Sequence, residues 1–278
     1  MLGRKLIALA LALATSVAAG CAFGPMSDGR RAMDRGDFER AASLFRQVAE
    51  GSPDEPAPWM ALGEAEMAAE RYARAREAFE RAATLRPASA TPRVRIGQTY
   101  ELERRYDEAL VAYHAACEAA PESPHAFRVI GTRLLRWGHA EEAIPFLERA
   151  LALDPAHRET RNALAMARAH TGDLEGAERD YRAAIGEDPE FLGARIGLAA
   201  LLVNAHRFDE ALATYDGILE RWPHFAAAHV GRGILLHELG RRDEALAAFR
   251  RAVDVADDRP RYERRLAEYE ALLARSPP

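Results

Sequence analysis

The chain has 278 residues, 49% of them apolar and 29% charged, so it can bury a core and is not an intrinsically disordered chain. A formal net charge of -5 argues against a basic nucleic-acid-binding protein. Two cysteines are too few for a disulfide framework or a four-cysteine zinc site, and a mean hydropathy of -0.29 excludes a polytopic membrane protein.

The first twenty residues are typical of a secretory signal peptide. Arg4 and Lys5 form a positive start, residues 6–14 are an uninterrupted apolar run, and residues 15–20 are mostly small. The apolar run is too short for a transmembrane helix, which needs about 20 such residues. We therefore expect residues 1–20 to be removed from the mature protein.

The signal region ends in Ala-Ala-Gly-Cys21, which resembles the lipobox of bacterial lipoproteins. The resemblance implies that Cys21 carries the acyl chains and becomes the first mature residue. The alternative is ordinary cleavage, because residues 16–18 also fit a small-x-small site and Ala18 stands where Leu is usual. Ala22, in place of the Asp that retains enterobacterial lipoproteins in the inner membrane, favours the periplasmic face of the outer membrane.

A repeating pattern with a period of about 34 residues runs through the remaining chain. Each period contains a small residue, then an alanine, then a large apolar residue four positions after the alanine, and six of the seven close with a proline. The small residues are Gly29, Gly63, Gly97, Gly131, Ala165, Ala199 and Gly233, and the large ones are Phe45, Phe79, Tyr113, Leu147, Tyr181, Tyr215 and Phe249. Each period predicts helix A, a turn near a glycine such as Gly36, Gly138, Gly172 or Gly240, and helix B. The large residue is expected to fill the space beside the small one.

These residues resemble the tetratricopeptide repeat (TPR), whose pattern is W-x2-L-G-x2-Y…A-x3-F…P over about 34 residues. The second period carries Trp59, Leu62-Gly63, Ala75, Phe79 and Pro87 at those positions. Seven repeats start near residues 22, 56, 90, 124, 158, 192 and 226. The resemblance implies an all-α fold, namely a right-handed α-solenoid of about seven helix pairs.

A further helix is predicted after the last repeat. Residues 261–275 place Tyr262, Leu266, Tyr269 and Leu273 in one apolar stripe, which is typical of a helix that caps the exposed end of a repeat array. The expected organisation is a signal peptide over residues 1–20, a TPR array over 21–259, and a capping helix and tail over 260–278.

The TPR resemblance also implies a binding surface. In that family helix A lines a concave groove, chiefly through the second, fifth, ninth, twelfth and thirteenth residues of each repeat. The groove residues carried over to this chain are Met60, Glu64, Met67, Val94, Gln98, Glu101, His125, Arg128, Thr132, Leu135, Arg136, Asn162, Met166, His170, Ile196, Val203, Asn204, Val230, Ile234 and His237. We expect a protein partner with an extended or helical peptide, apolar anchors and an acidic contact to Arg128 or Arg136. The alternative is that these residues only pack between helices.

No motif for enzymatic chemistry occurs in the sequence. It lacks a P-loop, a nucleophile elbow, a zinc-protease motif and a dinucleotide fingerprint, and its nine histidines are scattered. Cys117 stands where other repeats carry apolar packing residues, which predicts a buried, inert thiol. We therefore expect a protein that is not an enzyme and that has no cofactor, no metal and no nucleic-acid partner.

A lipobox followed by a TPR array resembles the small outer-membrane lipoproteins that assist type IV or Tad pilus assembly by docking a secretin. The resulting hypothesis is a lipid-anchored scaffold of the bacterial cell envelope that binds a peptide of an envelope assembly component. Two alternatives stay open. One is an accessory or regulatory subunit of cell-wall or exopolysaccharide synthesis, and the other is an unlipidated periplasmic adaptor.

Overall fold

The computed structural model describes residues 24–275, which form fifteen α-helices and no strand. The helices are α1 Pro25–Asp34, α2 Phe38–Gly51, α3 Pro56–Ala68, α4 Tyr72–Leu85, α5 Ala90–Leu102, α6 Tyr106–Ala119, α7 Pro124–Arg136, α8 Ala140–Leu153, α9 Arg158–Thr171, α10 Leu174–Glu187, α11 Leu192–Asn204, α12 Phe208–Arg221, α13 Ala226–Glu238, α14 Arg242–Val255 and α15 Arg259–Arg275. The expected all-α fold of seven helix pairs and a C-terminal helix is confirmed. The predicted signal peptide and Cys21 lie outside the described residues.

The chain divides into an N-terminal body, Met1–Ile130, and a C-terminal body, Gly131–Pro278, with the division inside α7. From α1 to α6 each helix packs against the next, and the same holds from α8 to α15. Each body is therefore built by stacking helix pairs that bury their apolar faces on their neighbours. Among residues 24–275 no helix is both long and apolar enough to span a bilayer.

The small and large residues of the period meet as the sequence predicts in five of the repeats. A Cβ added at Gly63 would lie 2.5 Å from a ring carbon of Phe79, so the two helices of that pair approach too closely for any side chain at this position. The other pairs of this kind are Gly29 with Phe45, Gly97 with Tyr113, Gly131 with Leu147 and Gly233 with Phe249. This contact sets the spacing between helix A and helix B within a repeat.

The fifth and sixth repeats, which carry alanine at the small position, use a different contact. The ring of Tyr181 lies against Gly197 of the next repeat, where an added Cβ would be 2.3 Å from Cε1. The ring of Tyr215 lies in the same way against Gly231, at 2.5 Å from Cζ. The large residue thus fills space between repeats here, because an alanine in its own repeat leaves less room than a glycine.

The turn between the two helices of each repeat contains a residue with positive φ, always at the same point of the period. The four predicted glycines have φ between 75° and 89°. In the other three repeats the same conformation is adopted by Glu70, Arg104 and His206, with φ of 59°, 61° and 57°. Side chains with a Cβ are strained in this region, so these three turns are less favourable than the glycine turns.

The ends of the array are closed by α1 and α15. α1 begins at Pro25, three residues after the predicted start, and Gly24 donates its backbone N–H to Ser27 Oγ at 3.0 Å. α15 begins at Arg259, two residues before the predicted start. Tyr269 of α15 is only 5% exposed and stacks on Phe249 of the last repeat with ring centroids 4.6 Å apart. α15 thereby covers the apolar face of the seventh repeat.

Candidate functional site

The predicted groove residues of the second and third repeats lie on α3 and α5. Met60, Glu64, Met67 and Gln98 are partly exposed, as a contact surface requires. The prediction for Val94 is wrong, because this side chain is 2% exposed and belongs to the core. The family positions therefore identify the helix face but do not separate groove residues from packing residues at its edge.

A pocket of about 700 Å³ lies on this face, between the first helices of the first three repeats. We call it the N-terminal pocket. Its lining includes Met26 and Met33 of α1, Phe45 of α2 and Met60 of α3. Thioether side chains are flexible and polarisable, so a pocket lined by three of them can adapt to apolar groups of different shape.

Some charged side chains of the N-terminal pocket form ion pairs within the protein and others do not. Glu64 Oε1 accepts a hydrogen bond from Arg95 Nη2 at 3.1 Å, so this carboxylate is already neutralised in part. Arg30, Arg86 and Asp34 also line the pocket, and none of the three has an ion-pair partner among residues 24–275. The two guanidinium groups outnumber the one carboxylate, so the uncompensated charge of the pocket is net positive. Because a guanidinium matches the geometry of a carboxylate, the pocket favours a ligand with an acidic group beside an apolar one.

Sequence reasoning missed the contribution of the first repeat. Met26, Arg30 and Met33 are the fifth, ninth and twelfth residues counted from residue 22, which are the family positions that point into the groove. The sequence of this repeat departs from the family pattern at its start, where Gly24 and Pro25 stand, and no groove residue was assigned to it. The structure shows that the proline only opens α1 and leaves the following face intact.

Arg128 lies at the end of the N-terminal body, on α7. Its Nη2 is 3.2 Å from Nδ1 of His125, one helical turn earlier. The predicted residues that follow it on α7 belong to the C-terminal body, and they are Thr132, Leu135 and Arg136. Arg136 is exposed, whereas Thr132 and Leu135 are partly exposed.

On α9 of the C-terminal body the predicted residues Asn162, Met166 and His170 share one face. Met166 and His170 are exposed, and Asn162 Nδ2 contacts Met166 Sδ at 3.7 Å. Asn162 Oδ1 is buried and has no hydrogen-bond partner in the described part of the chain. The groups that this face exposes are therefore the Met166 thioether and the His170 imidazole.

The remaining predicted residues of the C-terminal body lie on α11 and α13 and differ in exposure. Ile234 and Asn204 are exposed, and Ile196 is partly exposed. Val203 and Val230 pack partly against the core, as the alternative reading expected. His237 is held by the chain itself, because its Nδ1 is 3.3 Å from the hydroxyl of Tyr269 on α15.

The buried ionisable groups are structural. The carboxylate of Glu66 is fully buried and accepts from Arg46 and Arg71, so it is held as an ion pair. The prediction of a buried thiol at Cys117 is confirmed, and burial raises its pKa to about 11, which keeps the thiol protonated at neutral pH. Within residues 24–275 no three His, Cys, Asp or Glu side chains are grouped so as to hold a metal ion.

Stacked helix pairs of constant length, with a solvent-facing surface on their first helices, define an α-helical repeat protein. The sequence matches the model of the family described as tetratricopeptide repeat over residues 28–90, 66–124, 128–190 and 196–263, and a second model of that description over 170–221. The chain belongs to the tetratricopeptide repeat family. Proteins of this architecture use the extended surface of the stack to bind other proteins.

Solved structures of this architecture resemble the chain in fold. A tetratricopeptide repeat protein from Parabacteroides merdae ATCC 43184 is 17% identical with a TM-score of 0.58, and the match covers 88% of this chain and 97% of that one. MamA is 23% identical with a TM-score of 0.56, covering 60% and 98%. The Cut9–Hcn1 hetero-tetramer of APC/C is 14% identical with a TM-score of 0.55, covering 88% and 48%. No curated protein matches the sequence significantly.

Proposed function

We propose that this protein is a lipid-anchored scaffold of the bacterial cell envelope that holds a peptide segment of a partner protein in its N-terminal pocket. The observation that carries the proposal is the pocket itself, an open site of about 700 Å³ lined by three methionines and by Arg30 and Arg86, which have no ion-pair partner among residues 24–275. A scaffold of this kind needs no reaction, and its activity is the binding and positioning of its partner.

The pocket favours a particular peptide chemistry. An apolar side chain would enter between Met26, Met33 and Met60, while a neighbouring Asp or Glu would reach Arg30 or Arg86. Burial of an apolar side chain contributes about 1.5–3 kcal/mol and charge-assisted hydrogen bonds add direction. The expected motif is thus one large apolar residue followed or preceded by a carboxylate.

The proposed anchor would place this pocket next to the membrane. α1 begins at Pro25, only four residues after Cys21, and at 3.3–3.6 Å per residue this segment spans at most about 15 Å. Because α1 itself lines the pocket, a partner bound there would lie at the membrane surface. This favours a membrane-proximal assembly component, and a secretin or pilus-assembly protein is the specific candidate.

The anchor is tested by metabolic labelling with an alkyne-tagged palmitate in the native host. Cys21→Ser is expected to abolish labelling and to move the protein from the membrane to the soluble fraction. Cys117→Ser is the matched control, since it removes the other cysteine and should leave the label in place. Persistent labelling of Cys21→Ser would refute the anchor without affecting the pocket.

The pocket is tested by recovery of the partner from crosslinked, detergent-solubilised membranes with quantitative mass spectrometry. Met33→Glu combined with Met60→Glu should lower recovery at least about tenfold, because each carboxylate must be desolvated in an apolar site. Arg30→Ala combined with Arg86→Ala should lower it without any change in packing, since both side chains are exposed. Ala73→Glu, on the exposed surface of the same body, is the control. Equal recovery by all variants would contradict the proposal.

A further inference from the structure

A second groove lies in the N-terminal body, between α4, α5 and α6, and has a volume of about 720 Å³. We call it the outer groove. Its apolar lining comes from Ala83, Ile96, Tyr100, Val111, Ala112 and Ala115. It shares no lining residue with the N-terminal pocket, so the two sites are separate surfaces of the same body.

A groove of similar shape occurs elsewhere in the repeat array, but its side chains differ in charge from those of the outer groove. A smaller groove occupies the same repeat positions between the sixth and seventh repeats. There the positions of Ile96 and Ala115 are taken by Arg232 and Arg251, and Arg232 Nε is bound to Asp216 Oδ1 at 2.6 Å. At these two positions the equivalent groove is therefore charged and partly filled, whereas the outer groove is apolar and open there.

Val111 is the residue that the fold does not explain. It is 70% exposed in the middle of α6 and packs on little of its own chain. The other repeats carry small, polar or helix-breaking residues at the same position, namely Ser43, Glu77, Pro145, Arg179, Ala213 and Ala247. A β-branched residue is a poor helix former at an exposed site, so Val111 weakens the helix slightly and buries little in return. It continues the apolar lining of the outer groove, and a contiguous exposed apolar surface of this kind is expected where a partner covers it.

The wall of the outer groove is held in place by ionic contacts. The guanidinium groups of Arg76 and Arg105 lie 4.3 Å and 4.8 Å from the ring centroid of Tyr100. Arg76 is paired with Glu103, and Arg105 with Glu108. The Tyr100 ring is therefore fixed before any partner arrives, which lowers the entropy lost on binding.

The uncompensated charge of the outer groove is net negative. Arg93 Nη1 donates to the carbonyl oxygens of Pro87 and Ser89, at 3.0 Å and 3.2 Å, which fixes this guanidinium in place but leaves its single positive charge. Glu80 and Asp107 line the groove, and their carboxylates have no ion-pair partner within the described residues. A ligand that suits this surface therefore has a positive charge beside an apolar group, the opposite of the ligand that suits the N-terminal pocket.

We propose that the outer groove is a second docking site, which binds an amphipathic segment of a partner protein whose apolar side chain is flanked by Lys or Arg. The apolar side chain covers Val111 and contacts Ala83 and Ile96. The basic side chain pairs with Glu80 or Asp107. With both sites occupied, the N-terminal body would hold an acidic segment in the N-terminal pocket and a basic segment in the outer groove. The proposal for the outer groove does not depend on the proposal for the N-terminal pocket.

The test is photo-crosslinking in intact cells with a benzophenone amino acid placed at Thr84, which lines the outer groove and is exposed. Glu220, the same position beside the charged groove, carries the probe in the control protein. The crosslinked peptide is sequenced by mass spectrometry. The expected product comes from another protein and contains an apolar residue within four residues of a Lys or Arg.

Substitutions then assign the product to the groove. The yield of the Thr84 crosslink should fall at least about fivefold with Val111→Glu, and equally with Glu80→Arg combined with Asp107→Arg. Two controls should leave the yield unchanged, namely Ala247→Glu at the equivalent position of the charged groove, and the paired methionine changes of the N-terminal pocket. Val111→Ala separates binding from folding, because it should lower the yield while the melting temperature stays equal or rises. No product above the Glu220 level, a second copy of this chain, an acidic segment, or a yield insensitive to Val111→Glu would each overturn the proposal.

Discussion

Gly197→Ala tests whether a tyrosine ring sets the spacing between the fifth and sixth repeats. The added Cβ would lie 2.3 Å from Tyr181 Cε1, 2.5 Å from Cζ and 2.8 Å from the hydroxyl oxygen. The ring cannot move aside easily, since it is 3% exposed and packs in the apolar core of the C-terminal body. Either the ring or α11 must shift.

The magnitude follows from two opposed effects. Alanine is a better helix former than glycine by about 0.8–1 kcal/mol, while forcing a methyl group into a packed site costs about 1–3 kcal/mol. A contact of 2.3 Å with a rigid ring belongs at the upper end of that cost, so the net loss is about 1–2 kcal/mol. For a chain of this size that lowers the melting temperature by about 2–8 °C.

Gly217→Ala is the matched control, because Gly217 also lies inside a helix and its added Cβ would have only Arg195 Nη1 near it, at 4.0 Å. This change should raise the melting temperature, measured by circular dichroism at 222 nm. Adding Ala165→Gly to Gly197→Ala should restore part of the loss, since the ring could then pack within its own repeat. A rise for Gly197→Ala equal to that for Gly217→Ala would refute the reasoning.

Three further predictions concern single residues. Glu70→Gly and His206→Gly should each raise the urea concentration at the midpoint of unfolding, because a residue with a Cβ at positive φ costs about 1–2 kcal/mol of conformational free energy. A lower midpoint for both variants would show that these turns are not strained. Cys117 should react slowly with iodoacetamide at pH 8, because burial raises the pKa of its thiol to about 11 and the thiolate is the reactive form. It should react rapidly in urea, and rapid reaction in the folded state would contradict its burial. Hydrogen bonds from Arg207 hold the pKa of Glu178 below its usual range, so its contribution to stability is present above that range and is lost as the pH falls through the lowered value. Glu178→Gln should therefore lower the melting temperature at pH 7. The difference between the two proteins should shrink as the pH falls below the usual Glu pKa of about 4.3 and should vanish below the lowered pKa; a constant difference would exclude this pair as the cause.

The helices could be placed from the sequence because their causes are local and repeated. The second helix of every pair begins at the same position of the period, from Phe38 to Arg242, and the predicted glycine turns have positive φ. The shift of Tyr181 could not be predicted from one repeat alone. It depends on Gly197 of the next repeat. The repeat pattern gives the residue type at each position, but it does not show whether the ring will contact the small residue of its own repeat or that of the next.

The lining of the N-terminal pocket overlaps only in part with the predicted groove residues. The family positions include Met60 and Glu64 of this lining, and applied to the first repeat they would also include Arg30. They failed at Val94, which is 2% exposed, whereas Met60 at the same position of the preceding repeat is partly exposed. The outer groove had no sequence signal beyond Val111, since its walls come from three helices of two repeats.

The central claim is that the first helices of the N-terminal repeats bind a peptide through the N-terminal pocket. Hydrogen–deuterium exchange of the full chain, with and without a synthetic peptide of the recovered partner segment, tests it most directly. The account predicts slower exchange in α1 and α3, the helices that carry Met26, Met33 and Met60, and loss of this effect with Met33→Glu and Met60→Glu. Slower exchange confined to the C-terminal body, or none at saturating peptide, would contradict it.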